Sequence, residues 1–600
     1  MIVLGLSAFY HDSAAALVRD GKIVAAAQQE RFSREKNDSK FPAEAVAYCL
    51  DEAGISLSDV DYAAFYDKPL LTFDRLLETY IAFAPRGFKS FVKAIPIWVK
   101  EKILQRSLLM DGLNDLGRGN LSEDKMLFGF HHHSHAASAF YPSPFDEAAV
   151  LVMDGVGEWA TTSFGTGKGR KLSLEKEIRF PHSLGMLYSA FTYYLGFKVN
   201  EGEYKVMGLA PYGEPKYVDL ILENLIDIKN DGSYKLDMKF FNYCTGLTMT
   251  NARFDALFDG PPRNPAEPLS QKHMDLARSI QVVTEEVILK LVHSLHAETG
   301  QRNLCMAGGV ALNCVANGRI LREGPFDKIW VQPAAGDAGS ALGVALAVAN
   351  EMAELDTDHL SVPNGFDAMQ GAFLGPAYNT EQVRAVLDGQ AACYQEITDE
   401  KRMMSKVANA LAAEKVVGWF QGRMEFGPRS LGNRSILGDP HSSKMQKLLN
   451  LKIKYREGFR PFAPAVLRED VDKYFDFDGD SPYMMLVASV AKKHFCELSE
   501  EDRGREGLDK LNVIRSDIPA VTHVDFSARI QTVHAETNPR FHRLIQAFKE
   551  KTGRGLLVNT SFNVRDEPIV CSPEDAYRCF MATEMDMLVM GDCVLEKEEQ

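Results

Sequence analysis

The chain opens on an apolar run, Met1 to Ala8, that predicts one buried strand. A polar turn at Tyr10-His11-Asp12 interrupts it, and Ala14 to Val18 resumes the pattern. Asp20-Gly21 is a two-residue hairpin signal, after which Lys22 to Ala27 returns as a third strand. Pro42 suits the first turn of a helix that runs to about Ala53. Residues 72–110 are aromatic-rich with helical spacing and read as an insertion. Ala148 to Met153 is again an apolar strand. It ends in the turn Asp154-Gly155-Val156-Gly157-Glu158, and Trp159 to Gly165 follows as the second arm of a hairpin. Strand, polar turn, strand therefore occurs twice, which predicts an internally duplicated α/β domain with two ligand-facing turns.

A long amphipathic helix is predicted over 272–299. The strand Asn303 to Ala307 runs into Gly308-Gly309-Val310-Ala311-Leu312-Asn313 and a helix. A strand over 328–332 ends at Gly336-Asp337-Ala338-Gly339 and another helix. A strand, a glycine turn and a helix together aim backbone N–H groups and a helix N-terminus at an anion. Residues 354–376 are rich in loop formers, including Asp356, Pro363, Gly371 and Pro376, and a domain boundary is expected there. The expected division is 1–370 and 371–600.

Composition narrows the class. Six hundred residues exceed one core, and 46% hydrophobic with 25% charged residues is ordinary for a globular chain. The net charge of −15 argues against a nucleic-acid partner. Nine scattered cysteines include no Cys-x-x-Cys pair, which leaves no sign of a disulfide framework or thiolate zinc site. The N-terminus lacks a basic signal-peptide region, and no apolar run is long enough to span a bilayer. A soluble cytoplasmic enzyme with no membrane contact is expected; a homodimer is compatible with the sequence. Against this acidic background, Arg423 to Arg460 holds nine Lys/Arg and three Asp/Glu. Much of that charge sits beside Gly, Pro and Phe, as in Gly427-Pro428-Arg429 and Phe459-Arg460-Pro461-Phe462. Such loops suit rigidly held forks for a small anion; structural ion pairs or nucleic-acid contact are the other readings.

The most unusual stretch is Phe130-His131-His132-His133-Ser134-His135. His131 and His135 stand at i and i+4, on one face of a helix, and can share a metal ion. Four surface histidines at a helix start would give the same string. Asp154 and Asp337, each in a glycine turn at a strand end, would complete a shell of two nitrogens and two oxygens. That shell suits a divalent first-row ion such as Fe(II), Mn or Zn, with positions left for phosphate oxygens.

Several strings resemble the nodulation-type O-carbamoyltransferase (NodU/CmcH) family, which includes tobramycin and cephalosporin carbamoyltransferases. They are Gly5 to Ala16, the His131–His135 run, Asp154 to Glu158, Gly202 to Gly213, Arg423 to Arg429, Phe459 to Pro464, Thr522 to Asp525, and Asn559 to Asn563. The resemblance implies an actin-like (ASKHA) duplicated N-terminal domain and a YrdC-like α/β C-terminal domain. It implies that carbamoyl phosphate and ATP, with Mg, form carbamoyl adenylate in the C-terminal domain. The N-terminal domain would then pass the carbamoyl group to a hydroxyl of a small-molecule acceptor, with a metal ion (iron in a relative) holding the adenylate. Carried over, the metal ligands are His131, His135, Asp154 and Asp337. His11 matches the general base, and Arg429, Lys454 and Arg460 match phosphate and carbamoyl contacts. A fourth histidine, His133, departs from the family pattern.

Residue chemistry extends this set. A histidine in a turn after an apolar strand can reach a cleft and deprotonate an attacking alcohol. Lys205, in a Gly-bounded loop, could hold a phosphate or the carbamoyl oxygen. The expected nucleotide contacts are Asp12, Gly155, Gly157, Glu158, Gly308, Gly309, Asn313 and Gly336. His523, Asp525 and Arg529 share one parity on an apparent strand and, with Arg423, would line the adenylation site. Asn559, Ser561 and Asn563 also share a parity and could bind nucleotide or carbamoyl groups. Two other readings use the glycine turns: an actin-like small-molecule kinase, and a nucleotide-dependent binding protein without chemistry. Neither accounts for the paired histidines together with the basic C-terminal loops. The acceptor is not legible.

Overall fold

A computed structural model describes residues 1–352 and 366–600, with the side chain of residue 100 also left out. Residues 354–365 of the expected boundary loop lie outside the described residues. The described chain forms two compact units. The first is Met1–Gln29 with Asn37–Ala368; the second is Glu30–Lys36 with Met369–Gln600.

The first unit is built on two sheets of one design. In the first sheet β1 (Ile2–Ser7) is antiparallel to β2 (Ala14–Arg19), which pairs antiparallel with β3 (Lys22–Gln28). On its other side β1 runs parallel to β4 (Tyr62–Phe65), and β4 parallel to β5 (Met126–Phe128). The second sheet repeats this. Strand β6 (Glu147–Met153) is antiparallel to β7 (Ala160–Lys168), followed by β8 (Lys171–Arg179). Beyond a small ribbon of β9 (Ile226–Ile228) and β10 (Tyr234–Leu236), β11 (Asn303–Ala307) runs parallel to β6, and β12 (Lys328–Val331) parallel to β11. The orders β3-β2-β1-β4-β5 and β8-β7-β6-β11-β12 are the same topology used twice, the duplicated actin-like arrangement.

Helices sit where the sequence changes period. Helix α1 (Pro69–Phe83) and α2 (Phe88–Trp98) open the insertion between β4 and β5. Helix α3 (His131–Phe140) follows β5, and α4 (Asp337–Met352) follows β12. Pro42 precedes the helix Ala43–Ala53 as its cap rather than occupying the first turn. Helix α4 is apolar all round and buried along most of its length. It lies against β1 at Gly5, where a Cβ would stand 1.8 Å from Ala341 O, and against α3 at Gly343, 1.8 Å from Ser134 O. These two glycines set the depth at which α4 delivers Asp337. Gly343→Leu should cost about 3 kcal/mol of unfolding free energy in a denaturant titration, because the backbone carbonyl of Ser134 cannot yield.

The second unit is a mixed nine-stranded sheet among the described residues, with helices on it. Its strands are β13 (Gln395–Glu396), β14 (Val417–Phe420), β15 (Arg434–Gly438), β16 (Ala463–Leu467) and β17 (Leu486–Ser489), then β18 (Ser527–Val533), β19 (Leu556–Ser561), β20 (Met587–Met590) and β21 (Cys593–Glu596). They lie in the order β13-β21-β20-β14-β15-β19-β16-β18-β17. Alternation along β14 and β19 feeds two cores: Trp419 and Leu557 join Phe541 and Phe548, while Phe420 and Val558 join Phe475 and Phe580. This α/β unit is consistent with the expected C-terminal fold. Among the described residues no helix is long and apolar enough to cross a membrane.

Candidate metal centre and anion site

Helix α3 begins at His131 because a side-chain carboxyl oxygen accepts at its N-terminus. Glu158 Oε1 accepts the His131 backbone N–H at 2.9 Å and the Lys68 N–H at 3.1 Å. Burial, then the neighbouring Asp67 carboxylate, pushes Glu158 up to about 7. From this start the helix aims His131 and His135 inward. His131 Nε2 and His135 Nε2 stand 3.1 Å apart. Asp154, at the end of β6, places Oδ2 3.3 Å from His131 Nε2 and 4.0 Å from His135 Nε2. Asp337, first residue of α4, places Oδ1 at 3.7 and 3.4 Å from the same two atoms.

All four donors lie within 4.8 Å of one another. A divalent ion about 2.1 Å from each donor would hold neighbouring donors about 3.0–3.4 Å apart, so the set fits one ion with little movement. Supporting contacts hold the donors in place. Ser340 Oγ bonds His135 Nδ1 at 3.0 Å, and Gly309 N–H donates to Asp154 Oδ1 at 2.9 Å. That approach needs Gly308, at φ +90°, where a Cβ would meet Met153 O at 2.2 Å. Burial pulls His131 down, but its bond to Asp154 and the field of Asp337 outweigh this and hold it at about 10. His132 turns away to Ser163 Oγ at 2.8 Å, and its burial beside His131 keeps it neutral. His133 points toward Glu351 at 3.9 Å. Of the three adjacent histidines, His131 is the one that converges with His135.

His11 flanks the centre. Its Nε2 is 3.9 Å from Asp337 Oδ2, and its Nδ1 is 3.1 Å from Asp12 Oδ2. Burial lowers its pKa, while Asp337 and the Asp12 bond raise it to a net of about 9. Other expected contacts have local structural tasks. Gly157 O accepts from Arg75 at 2.8 Å. Gly155 O accepts from Ser183 at 2.7 Å, and Gly336 O from Gly339 N at 3.0 Å. Asn313 caps the helix Cys314–Glu323 through Ala316 N at 3.1 Å. Lys205 is not in a loop: it lies on the helix Glu203–Leu209, with Nζ 5.6 Å from the Phe197 ring centroid. Gly202 is the residue before that helix, so the glycines bound a short helical turn.

The basic loops of the second unit are shaped by one carboxylate. Glu425 Oε1 accepts from the backbone N–H groups of Leu431, Asn433 and Arg434 at 2.7, 2.9 and 3.1 Å, which folds Gly427-Pro428-Arg429 into a tight loop. Arg429 is half-buried on that loop. Arg423 spends its fork on the carbonyls of Leu374 and Gly375 at 2.6 and 3.2 Å. Lys454 is buried, with Nζ 2.7 Å from Ser561 O, 3.1 Å from Ser561 Oγ and 2.8 Å from Asn563 O. Burial, then Arg456, holds its ammonium well below the usual lysine range. Arg456 donates to Asn450 Oδ1 at 2.8 Å; burial lowers its pKa, as do the fields of Arg460 and Arg529. Lys454, which is buried, and the half-buried Arg456, Arg460 and Arg529 therefore make one cluster of cations whose charges bear on one another. Asn559 faces elsewhere, to Ser430 O and Gln531 Oε1. His523 and Asp525 are not on a strand. They form a turn before β18, with Phe526 at φ +63° and Asp525 accepting from Ser527 N at 3.1 Å, so the parity with Arg529 does not hold. His523 Nδ1 nonetheless lies 3.5 Å from Asp525 Oδ1.

Residues 2–346 match the family model described as Carbamoyltransferase N-terminus, and residues 408–597 the one described as Carbamoyltransferase C-terminus. The chain belongs to the carbamoyltransferase family. It is an enzyme that transfers carbamoyl groups. An uncharacterized protein of Synechocystis sp. is 60% identical over all of this carbamoyltransferase and 97% of its own length. The nodulation protein NolNO of Sinorhizobium fredii is 36% identical over 98% of this chain and 79% of its own. The 3'-hydroxymethylcephem-O-carbamoyltransferase of Streptomyces clavuligerus is 35% identical over 48% of each chain.

Three groups near the carbamoyltransferase's sites escaped sequence reasoning. Tyr66, just past β4, donates its hydroxyl to Asp337 Oδ2 at 3.2 Å. Arg456 was one of nine cations with nothing to single it out. Lys36 lies in the Glu30–Lys36 segment of the second unit and bears on Lys454. The basic residues Arg31, Arg34 and Lys36 just after β3 were the available signal.

Proposed function

We propose that the protein is an ATP-dependent O-carbamoyltransferase that works through carbamoyl adenylate. The second unit would form the adenylate. For the atoms to balance, carbamoyl phosphate first loses its phosphate to water. A carbamate oxygen then attacks the α-phosphate of ATP and pyrophosphate leaves. The cluster of Lys454, Arg456, Arg460 and Arg529 suits this step, because negative charge gathers on the departing phosphate groups. The first unit would transfer the carbamoyl group to an acceptor hydroxyl: the alcohol oxygen bonds to the carbamoyl carbon and AMP leaves.

The observation that carries this reading is the largely buried two-nitrogen, two-oxygen cluster of His131, His135, Asp154 and Asp337 beside His11. A divalent first-row cation held there would supply positive charge to the phosphate of the adenylate and would offset the Asp337 field that raises His11. His11 would take the alcohol proton at Nε2, while Asp12 holds Nδ1. Glu158 fixes the helix that carries two of the ligands.

The test is the product set. With carbamoyl phosphate, ATP and a panel of alcohols, phosphorus NMR should show AMP, pyrophosphate and phosphate, and mass spectrometry an acceptor heavier by one carbamoyl group. ADP as the nucleotide product would overturn the reading in favour of a kinase.

A further inference from the structure

The insertion between β4 and β5 concentrates exposed apolar side chains. Helix α2 is apolar on two sides. Phe91 and Trp98 turn inward and pack on Tyr80 of α1, with ring centroids 5.3 and 5.4 Å away. Phe88, Val92, Pro96, Val99 and Ile103 follow one another at three- and four-residue steps and form an outer stripe. Phe88 is 68% exposed, Val92 51% and Ile103 46%. A neighbouring loop extends this surface. Ser90 Oγ donates to Thr245 O at 2.6 Å, and Leu247, two residues on, is 88% exposed. A helix with apolar residues on both sides is built to bury both.

Charge indicates what covers the outer side. Arg86, Lys89, Lys93, Lys102 and Arg106 lie along this segment, and Glu101 is its only acid, in a chain of net charge −15. A second copy related by a two-fold axis would set these cations against themselves. An anionic lipid surface meets both features, because it takes apolar side chains at the acyl boundary and cations at the phosphates. We propose that this face docks the protein on an anionic phospholipid surface, with Phe88, Val92, Val99 and Ile103 entering the interface and Lys89 and Lys93 contacting lipid phosphates. The lack of a spanning run among the described residues speaks only against a transmembrane segment. A helix lying in the plane of the interface needs none.

Flotation of the full chain with vesicles of phosphatidylcholine plus phosphatidylglycerol, against phosphatidylcholine alone, tests this. The protein should float with the anionic vesicles at low salt and be released at high salt. Phe88→Glu with Val92→Glu, and separately Lys89→Glu with Lys93→Glu, should each lower partitioning about tenfold or more without changing the melting profile, since all four side chains are exposed. Failure of the wild type to float with anionic vesicles would overturn the proposal, as would undiminished flotation of both double variants. A wild-type dimer that Phe88→Glu with Val92→Glu dissociates, with no flotation, would instead assign the face to a second copy.

Discussion

His131→Ala should lower the metal content of the purified protein and reduce carbamoyl transfer from supplied carbamoyl adenylate about 10³-fold, while formation of that adenylate continues. The expectation follows from geometry. His131 Nε2 is the donor closest to His135 and Asp154, at 3.1 and 3.3 Å, so its loss opens the centre of the set rather than its edge. It also takes from Asp154 its nearer imidazole and leaves it His135 at 4.0 Å, a worse arrangement for the fold. For that reason the melting profile must be measured beside metal content by mass spectrometry. His132→Ala is the control, since its ring faces Ser163 and should be dispensable for metal retention. Loss of adenylate formation with intact transfer would reverse the assignment of chemistry to the two units.

The part of the fold legible in the sequence was the part written in long or repeated patterns. The two hairpins were readable because each pairs apolar strands across a turn with Gly or Asp. Their companions β4 and β5 span only Tyr62–Phe65 and Met126–Phe128, too short for a periodicity, and Tyr66 was lost with them. Strand β8 was missed because its exposed face gives it five charged residues, Lys171, Glu175, Lys176, Glu177 and Arg179. The candidate metal set was legible because i, i+4 spacing and turn aspartates are local facts. That these four converge is a fact of topology: Asp154 and Asp337 end β6 and follow β12 in one sheet, and α4 crosses α3 at Gly343. Parity arguments failed where a single residue broke the strand. Phe526 at positive φ turns the chain between Asp525 and Arg529, and no apolar pattern announces it. The basic residues of Glu30–Lys36 hint at a role for that segment, but its membership in the second unit depends on long-range bonds such as Arg34 to Ile569 O at 2.7 Å, which no local pattern announces.

Lys454→Met should have the opposite profile to His131→Ala: adenylate formation falls about 10²–10³-fold, while metal content and transfer from supplied carbamoyl adenylate are retained. The ammonium sits among acceptors only, Ser561 O and Oγ and Asn563 O, yet burial and the nearby Arg456 depress its pKa well below the lysine norm. A cation held under such stress gains most from an arriving anion. A phosphate-bearing substrate in the cluster would offset the mutual repulsion of these cations; the guanidiniums stay protonated throughout, so the proton uptake expected on binding goes to Lys454 and is measurable by calorimetry in buffers of different ionisation enthalpy. In Lys454→Met that uptake should shrink and the KM for the anionic substrate rise. Lys454→Arg, which keeps the charge but not its compact form, should recover binding more than turnover, because Ser561 and Asn563 are arranged around a single nitrogen rather than a planar fork. If the methionine variant formed adenylate at the wild-type rate, the buried lysine would be a structural strut for the Ser561–Asn563 turn, and the anion site would rest on the arginines alone.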